Sequence, residues 1–305
     1  WHTVRKKLRF LFKIRQMSEK AHAVEGVTIM RGYHFISGLP RAGSTLLSAI
    51  LRQNPRFSAA MSSAVGAIFN SCLGSMGAGN EFAVFLTEEQ KRDILLGIFE
   101  AYYKDMPQDR VVFDTNRMWT SRLPALLKLV PEAKVICCVR NPAWIFDSVE
   151  TLIRRNAFDT TRIFKSEAER ATVFSRAEAL MGRSRMIGFA LAALKEAYYS
   201  HEAGAMLLLD YNLLASRPKD SIDLVYQFLG EEPFDHDFED VSYEAEVFDS
   251  HLLAKGLHSV SGKGGVPAKT HPASARTLQA VLRSHLLDQQ PRYAGPSYRA
   301  AQPDR

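Results

Sequence analysis

The chain has 305 residues, 46% hydrophobic and 24% charged, with a formal net charge of +6 and a pI near 9.2. That composition is sufficient for one large core or two small ones, and the positive balance suggests anionic ligands. No apolar run reaches the eighteen or more residues of a membrane span, and only three cysteines, Cys72, Cys137 and Cys138, are present. The last two are neighbours on a strand pattern and poor disulfide partners, so a reducing, cytoplasmic setting is expected.

The chain opens on Trp1, and a segment upstream of it would escape this reading. Residues 1–25 carry Arg5, Lys6, Lys7, Arg9, Lys13, Arg15 and Lys20 with Val4, Leu8, Leu11 and Phe12 at helical spacing. This predicts a basic amphipathic segment that packs at a terminus, with peripheral membrane contact as the alternative. Residues 26–290 are expected to form a single α/β domain, since no Gly/Ser- or Pro-rich linker divides them.

Within it, 33–37 reads as a buried strand, 44–53 as the helix after it, and the Ser/Gly/Ala/Met-rich stretch 54–80 as a mobile or substrate-facing segment. Thr87, Glu88, Glu89 and Gln90 form a capping box opening a helix to about 104. Strands follow at 110–113 and 133–139, separated by a helix over 123–129. Pro142 starts a helix to about 154. A second capping box at Ser166 predicts one long helix over 166–200, then a strand over 205–209 and a helix from Pro218 to Gly230. Residues 251–273 read as irregular, 273–287 as a last helix, and 291–305 as a disordered tail. Strands alternating with helices predict a P-loop-like, three-layer α/β fold: a mainly parallel sheet of four or five strands with helices on both faces. Ligands in such sheets lie beyond the carboxyl ends of the strands, where Ser37, Gly38, Asp114, Arg140, Asp210 and Tyr211 fall.

The most informative stretch is Gly38-Leu39-Pro40-Arg41-Ala42-Gly43-Ser44-Thr45. It has the G-x-x-x-x-G-[K]-[ST] spacing of a phosphate-binding loop, but Ser44 stands where the lysine belongs and a cation sits inside the loop as Arg41. A strand-to-helix turn offers free backbone N–H groups and a helix-dipole end to an anion, and Ser44, Thr45 and the Arg41 fork add donors. The second element is Cys138-Val139-Arg140-Asn141-Pro142 with Ser148 two turns into the next helix. Arg140 and Ser148 could share one phosphate, although a rim salt bridge is the commoner use of such an arginine.

Together these stretches resemble the phosphosulfate loop, P-[KR]-S-G-[TS]-T, and the 3′-phosphate motif, R-[ND]-P-x5-S, of the sulfotransferases. The Asp210-Tyr211-Asn212-Leu213-Leu214 run is similar to their Y-E-x-L element, with Asn212 in place of the acid. The likeness is closest to the bacterial and tyrosylprotein-type branch, is strong over 33–150 and weaker to about 230. It implies transfer of a sulfuryl group from 3′-phosphoadenosine-5′-phosphosulfate (PAPS) to a hydroxyl or amine, without a metal, leaving 3′-phosphoadenosine 5′-phosphate (PAP). By that resemblance Pro40, Arg41, Ala42, Gly43, Ser44 and Thr45 would hold the 5′-phosphosulfate, Arg140 and Ser148 the 3′-phosphate, and Tyr211 would border the adenine. Lys263, in Ser261-Gly262-Lys263-Gly264-Gly265, would be a late clamp.

The base is where the pattern departs. The glutamate of tyrosylprotein-type enzymes and the strand-end histidine of small-molecule enzymes are both missing. Asp114, a carboxylate at a strand's carboxyl end, is the candidate general base, with Arg117 stabilising the transferring group. The plain alternative is that Asp114 caps the turn at 118–122 and pairs with Arg117. His34 reads as a packed core histidine, while His251 and His258 lie near the late clamp and either could enter the site. No histidine has zinc-ligand spacing, so no metal is expected. The acceptor (glycan, phenol, alcohol or protein tyrosine) is not legible. No nucleic-acid partner is expected, and a homo-oligomer is left open. A P-loop nucleotide kinase and a non-catalytic nucleotide- or partner-binding protein remain the competing readings.

Overall fold

The computed structural model describes residues 32–158, 161–260 and 262. The basic N-terminal segment, Lys263, the helix expected over 273–287 and the tail over 291–305 lie outside the described residues. Five strands, β1 (Tyr33–Gly38), β2 (Phe57–Ala59), β3 (Val111–Thr115), β4 (Val135–Val139) and β5 (Met206–Asp210), form one sheet in the order β2-β3-β1-β4-β5. Every pairing is parallel. β1 and β3 are buried along their whole length, and β4 is a continuous apolar run, because parallel strands are covered by helices on each side.

The helices are α1 (Ser44–Leu51), α2 (Val65–Ser75), α3 (Glu88–Tyr102), α4 (Leu123–Leu129), α5 (Pro142–Arg155), α6 (Glu167–Arg170), α7 (Val173–Met181), α8 (Met186–Tyr198), α9 (Tyr211–Ser216), α10 (Pro218–Leu229) and α11 (Glu246–His251). Side chains alternate across β1, so His34 and Phe35 enter opposite layers. Phe35 joins a ring cluster with Phe99 and Trp119, and Phe69 packs on both of these. On the other face His34 meets Phe113, which with Phe57 and Tyr226 forms a second cluster. Each such ring contributes about 1.5–3 kcal/mol by leaving water.

Two expectations need correction. Residues 54–80 hold an edge strand, β2, and a helix, α2. Neither has strong local propensity, and burial of Phe57, Val65 and Phe69 fixes them instead. The single helix expected over 166–200 is three helices. Ser166 does cap α6, accepting from the Glu169 N–H, but the Glu169 carboxylate turns to the Lys165 N–H and Arg185, leaving the reciprocal half of the box unmade. A complete box at Thr172 and Ser175 then starts α7 afresh, and Gly182 ends it in an extended conformation. The Thr87–Gln90 box, by contrast, has both halves in place.

The order of strands positions the crevice. From β1 the chain runs to β2 and β3 on one side and to β4 and β5 on the other. The direction of winding therefore reverses at β1, where neighbouring loops part. Register aligns Gly38 with Cys138 and Val139 with Asp210, so the loops after β1, β4 and β5 leave from one edge.

Candidate active site

The turn after β1 is held by its glycines. Gly38 has φ +99°, and a Cβ there would lie 2.2 Å from the Cys138 carbonyl oxygen, against the backbone of β4. Leu39 N–H donates to that same oxygen at 2.8 Å, tying the loop to the strand. Arg41 is in the left-handed region at φ +55°, unusual for a residue with a Cβ. Gly43, at φ +97°, is the N-cap of α1 and makes no side-chain cap, and the first turn carries no acid. The first intrahelical bond is Leu47 N–H to the Gly43 carbonyl, so the N–H groups of Ser44, Thr45 and Leu46 have no partner within the helix. The Tyr211 ring lies against Gly43, where a Cβ would approach it at 2.9 Å.

A cavity of about 1190 Å³ opens at this point. Pro40, Arg41, Gly43, Ser44, Thr45, Arg117, Arg140, Ser148 and Tyr211 all line it, so most of the residues singled out from sequence meet in one place. Ala42 does not, being fully buried beneath the loop. The Arg140 guanidinium stacks on Tyr211 at 4.1 Å and donates from Nη1 to the Arg41 carbonyl at 3.2 Å. Its Nε is buried with no hydrogen-bond partner among the described residues. Ser148, expected beside Arg140, accepts instead from Arg41 Nε at 3.1 Å, and Arg41 Nη1 donates to the Leu257 carbonyl. Burial, and for Arg41 the neighbouring Arg140 charge, holds both guanidinium groups below the ordinary arginine pKa. Burial alone does the same at Arg117. Two arginines are crowded into one desolvated corner, one with an unsatisfied N–H, an arrangement that is electrostatically costly as it stands.

Asp114 is placed elsewhere. It does not line the cavity; its side chain is 1% exposed and accepts from the Ser63 hydroxyl, the Tyr103 hydroxyl at 2.6 Å and Trp119 Nε1 at 2.8 Å. Burial raises its pKa although all three donors oppose that shift. Nor does it cap the 118–122 turn, where Asn116 Oδ1 accepts from Met118 N–H. The sequence placed Asp114 at the right strand end but could not show which way the side chain points. His34 is a core histidine: Lys134 N–H donates to its Nδ1 at 3.1 Å, and burial lowers its pKa to about 4.

The remainder of the cavity wall comes from Met61 and Ser62 before α2, from Trp144 and Arg155 on α5, and from Lys165 and Phe189. His258 also lines it, facing the Arg41 side, and its imidazole is bonded to Asp249. Nothing in the sequence connects those last two residues except a glycine turn between them. Among the described residues no helix is long and apolar enough to cross a membrane.

No curated protein matches the chain. It is similar to a sulfotransferase from Alicyclobacillus acidocaldarius (14% identity over 86% of this chain and 94% of the other, TM-score 0.49). It is also similar to a mouse sulfotransferase solved with PAP (15% identity, 85% and 86% covered, TM-score 0.47). A third similar structure is the sulfotransferase domain of the Synechococcus PCC 7002 olefin synthase (16% identity, 83% and 95% covered, TM-score 0.45). The family model described as "Sulfotransferase family" matches residues 34–236, more than half of the chain. It takes in the loop after β1, Arg140, Ser148 and Tyr211, and on that match the chain belongs to the sulfotransferase family of transferases.

Proposed function

We propose that this enzyme moves a sulfuryl group from PAPS to a hydroxyl or amine acceptor by in-line transfer. The observation that carries the reading is the buried, unpartnered Arg140 Nε beside the open N–H groups of α1 at the sheet's switch point. In this reading the Ser44 and Thr45 hydroxyls and amides, with Arg41, hold the 5′-phosphosulfate. Arg140 and Ser148 take the 3′-phosphate, and Tyr211 borders the adenine while keeping the Arg140 fork in plane. Arg41 and Arg117 neutralise charge as the sulfur–oxygen bond to the phosphate breaks, the kind of fixed electrostatic contribution that dominates such transfers. Acceptors enter past residues 58–85 and 155–185; Trp144 and Phe189 add apolar faces to the cavity wall, and Arg155 and Lys165 add charge.

Asp114 has no part in proton transfer in this reading. Its three donors make it a strut joining β3 to α3 and the 119–122 turn. A nucleotide kinase is disfavoured because Ser44 stands where the phosphate-bridging lysine would be. Calorimetric titration with PAP in EDTA tests the proposal: saturable binding is expected, with none for ATP. Magnesium-dependent ATP binding without PAP affinity would overturn it.

A further inference from the structure

Asp114 is sealed off, and Asp147, the one carboxylate that lines the cavity among the described residues, lies in the field of Arg140, so the donor reading leaves the acceptor proton to another group. Resting on that reading, we infer that His258, oriented by Asp249, receives this proton at Nε2. After α11 the chain reverses through Leu253 (φ +51°) and Gly256 (φ +78°) and returns across the mouth of the loop that follows β1. Leu257 is fastened there by Arg41 Nη1, and Val260 by its antiparallel bridge to Tyr243. Asp249, 3% exposed, holds His258 twice: Oδ2 accepts the backbone N–H at 2.8 Å, and Oδ1 pairs with imidazole Nδ1 at 2.6 Å.

A carboxylate can only accept, so Nδ1 carries the hydrogen and the neutral ring keeps its lone pair on Nε2. Nε2 has no partner among the described residues, and His258 lines the same cavity as Arg41 and Arg117. The groups facing the ring are Asp249 from α11, Arg41 from the loop after β1 and Arg117 from beyond β3, with the Phe248 ring against its edge. Burial, helped by the two arginines, outweighs the carboxylate and holds the imidazole below its usual pKa, so it is neutral and basic at pH 7. The other described histidines are unsuited: His34 and His236 are buried in the core, His201 is exposed and does not line the cavity, and His251 bonds Arg162 outside it.

In the step itself the acceptor oxygen forms its bond to sulfur while sulfur's bond to the bridging phosphate oxygen breaks. The acceptor O–H proton passes to Nε2, PAP leaves as the anion, and His258 returns the proton to water after product release. Asp249 is a positioning residue, setting tautomer and ring orientation.

The test uses the full chain with [35S]PAPS and a panel of simple phenols and alcohols, water serving as the default acceptor. His258→Gln should bind PAP within about threefold of wild type yet turn over about 10²–10⁴-fold more slowly. Asp249→Asn should slow turnover and shift the acid limb of the rate profile, which a purely structural role would not move. PAP binding with wild-type turnover in His258→Gln would overturn the dyad and spare the donor reading; loss of PAP binding in the wild type would overturn the donor reading instead. A second measurement needs no acceptor: 15N-histidine NMR should show the His258 resonance, assigned by its absence in His258→Gln, as the Nδ1–H tautomer. A dominant Nε2–H tautomer would refute the inference.

Discussion

Arg140→Met separates a ligand-binding arginine from a structural one. In the free protein four effects of this side chain nearly cancel. Stacking on Tyr211 at 4.1 Å contributes about 0.5–2 kcal/mol. The Nη1 bond to the Arg41 carbonyl adds about 1.5–3 kcal/mol as a charged donor. Against them, the buried, unpaired Nε costs about 1–3 kcal/mol, and two desolvated guanidinium groups repel. Methionine fills similar volume without the orphaned N–H, so the melting temperature should stay within a few degrees of wild type. Binding is different, because nothing replaces the charge-assisted bonds to phosphate. Their loss, about 3 kcal/mol, raises the PAP Kd about a hundredfold. Calorimetry and thermal unfolding on the same samples measure both quantities. Affinity retained within threefold, or a large fall in melting temperature at unchanged affinity, would make Arg140 a rim salt-bridging residue and refute the reasoning.

Gly43→Ala should cost about 1–3 kcal/mol through positive φ and meet the Tyr211 ring, lowering PAP affinity about tenfold. Gly43→Ala combined with Tyr211→Ala should relieve only the steric part; complete recovery in the thermal melt would mean that φ is not restrictive there. Asp114→Asn puts an amide NH2 among three donors and should lower stability by about 2 kcal/mol with PAP affinity unchanged; an unaltered melt would contradict the strut role. His34 has a folded pKa of about 4 against 6.5 unfolded, so it is a depressed group. Its stabilisation is present above pH 6.5 and is lost as pH falls towards 4, about 3 kcal/mol in all. Urea unfolding at pH 7 and pH 4.5 should therefore show a smaller acid loss in His34→Gln than in wild type, and equal losses would refute this.

The turn after β1 was legible as a strand–turn–helix unit because strand, turn and helix N-terminus are contiguous, and local sequence dictates each. Arg140 and Ser148 were legible for the same reason, being one strand end and one helix face. What tertiary packing decides was not legible: Ser148 bonds Arg41, and Asp114 turns towards Trp119 and Tyr103. Both outcomes depend on which layer a side chain enters. The edge strand β2 is too short for a period to show, and the break before α7 depends on where the Glu169 carboxylate goes, a choice made by Arg185 sixteen residues on. His258 was noticeable as a histidine near a late loop, but its carboxylate partner becomes visible only when the chain reverses at Gly256.

The central claim is that the loop after β1 and the start of α5 grip the two ends of one bisphosphate nucleotide. A crystal structure with PAP tests it most directly. The account predicts the 5′-phosphate on the Ser44 and Thr45 amides and the 3′-phosphate within hydrogen-bonding distance of Arg140 Nε and Ser148 Oγ. A bisphosphate bound elsewhere, or one that leaves Arg140 Nε unpartnered, would contradict it.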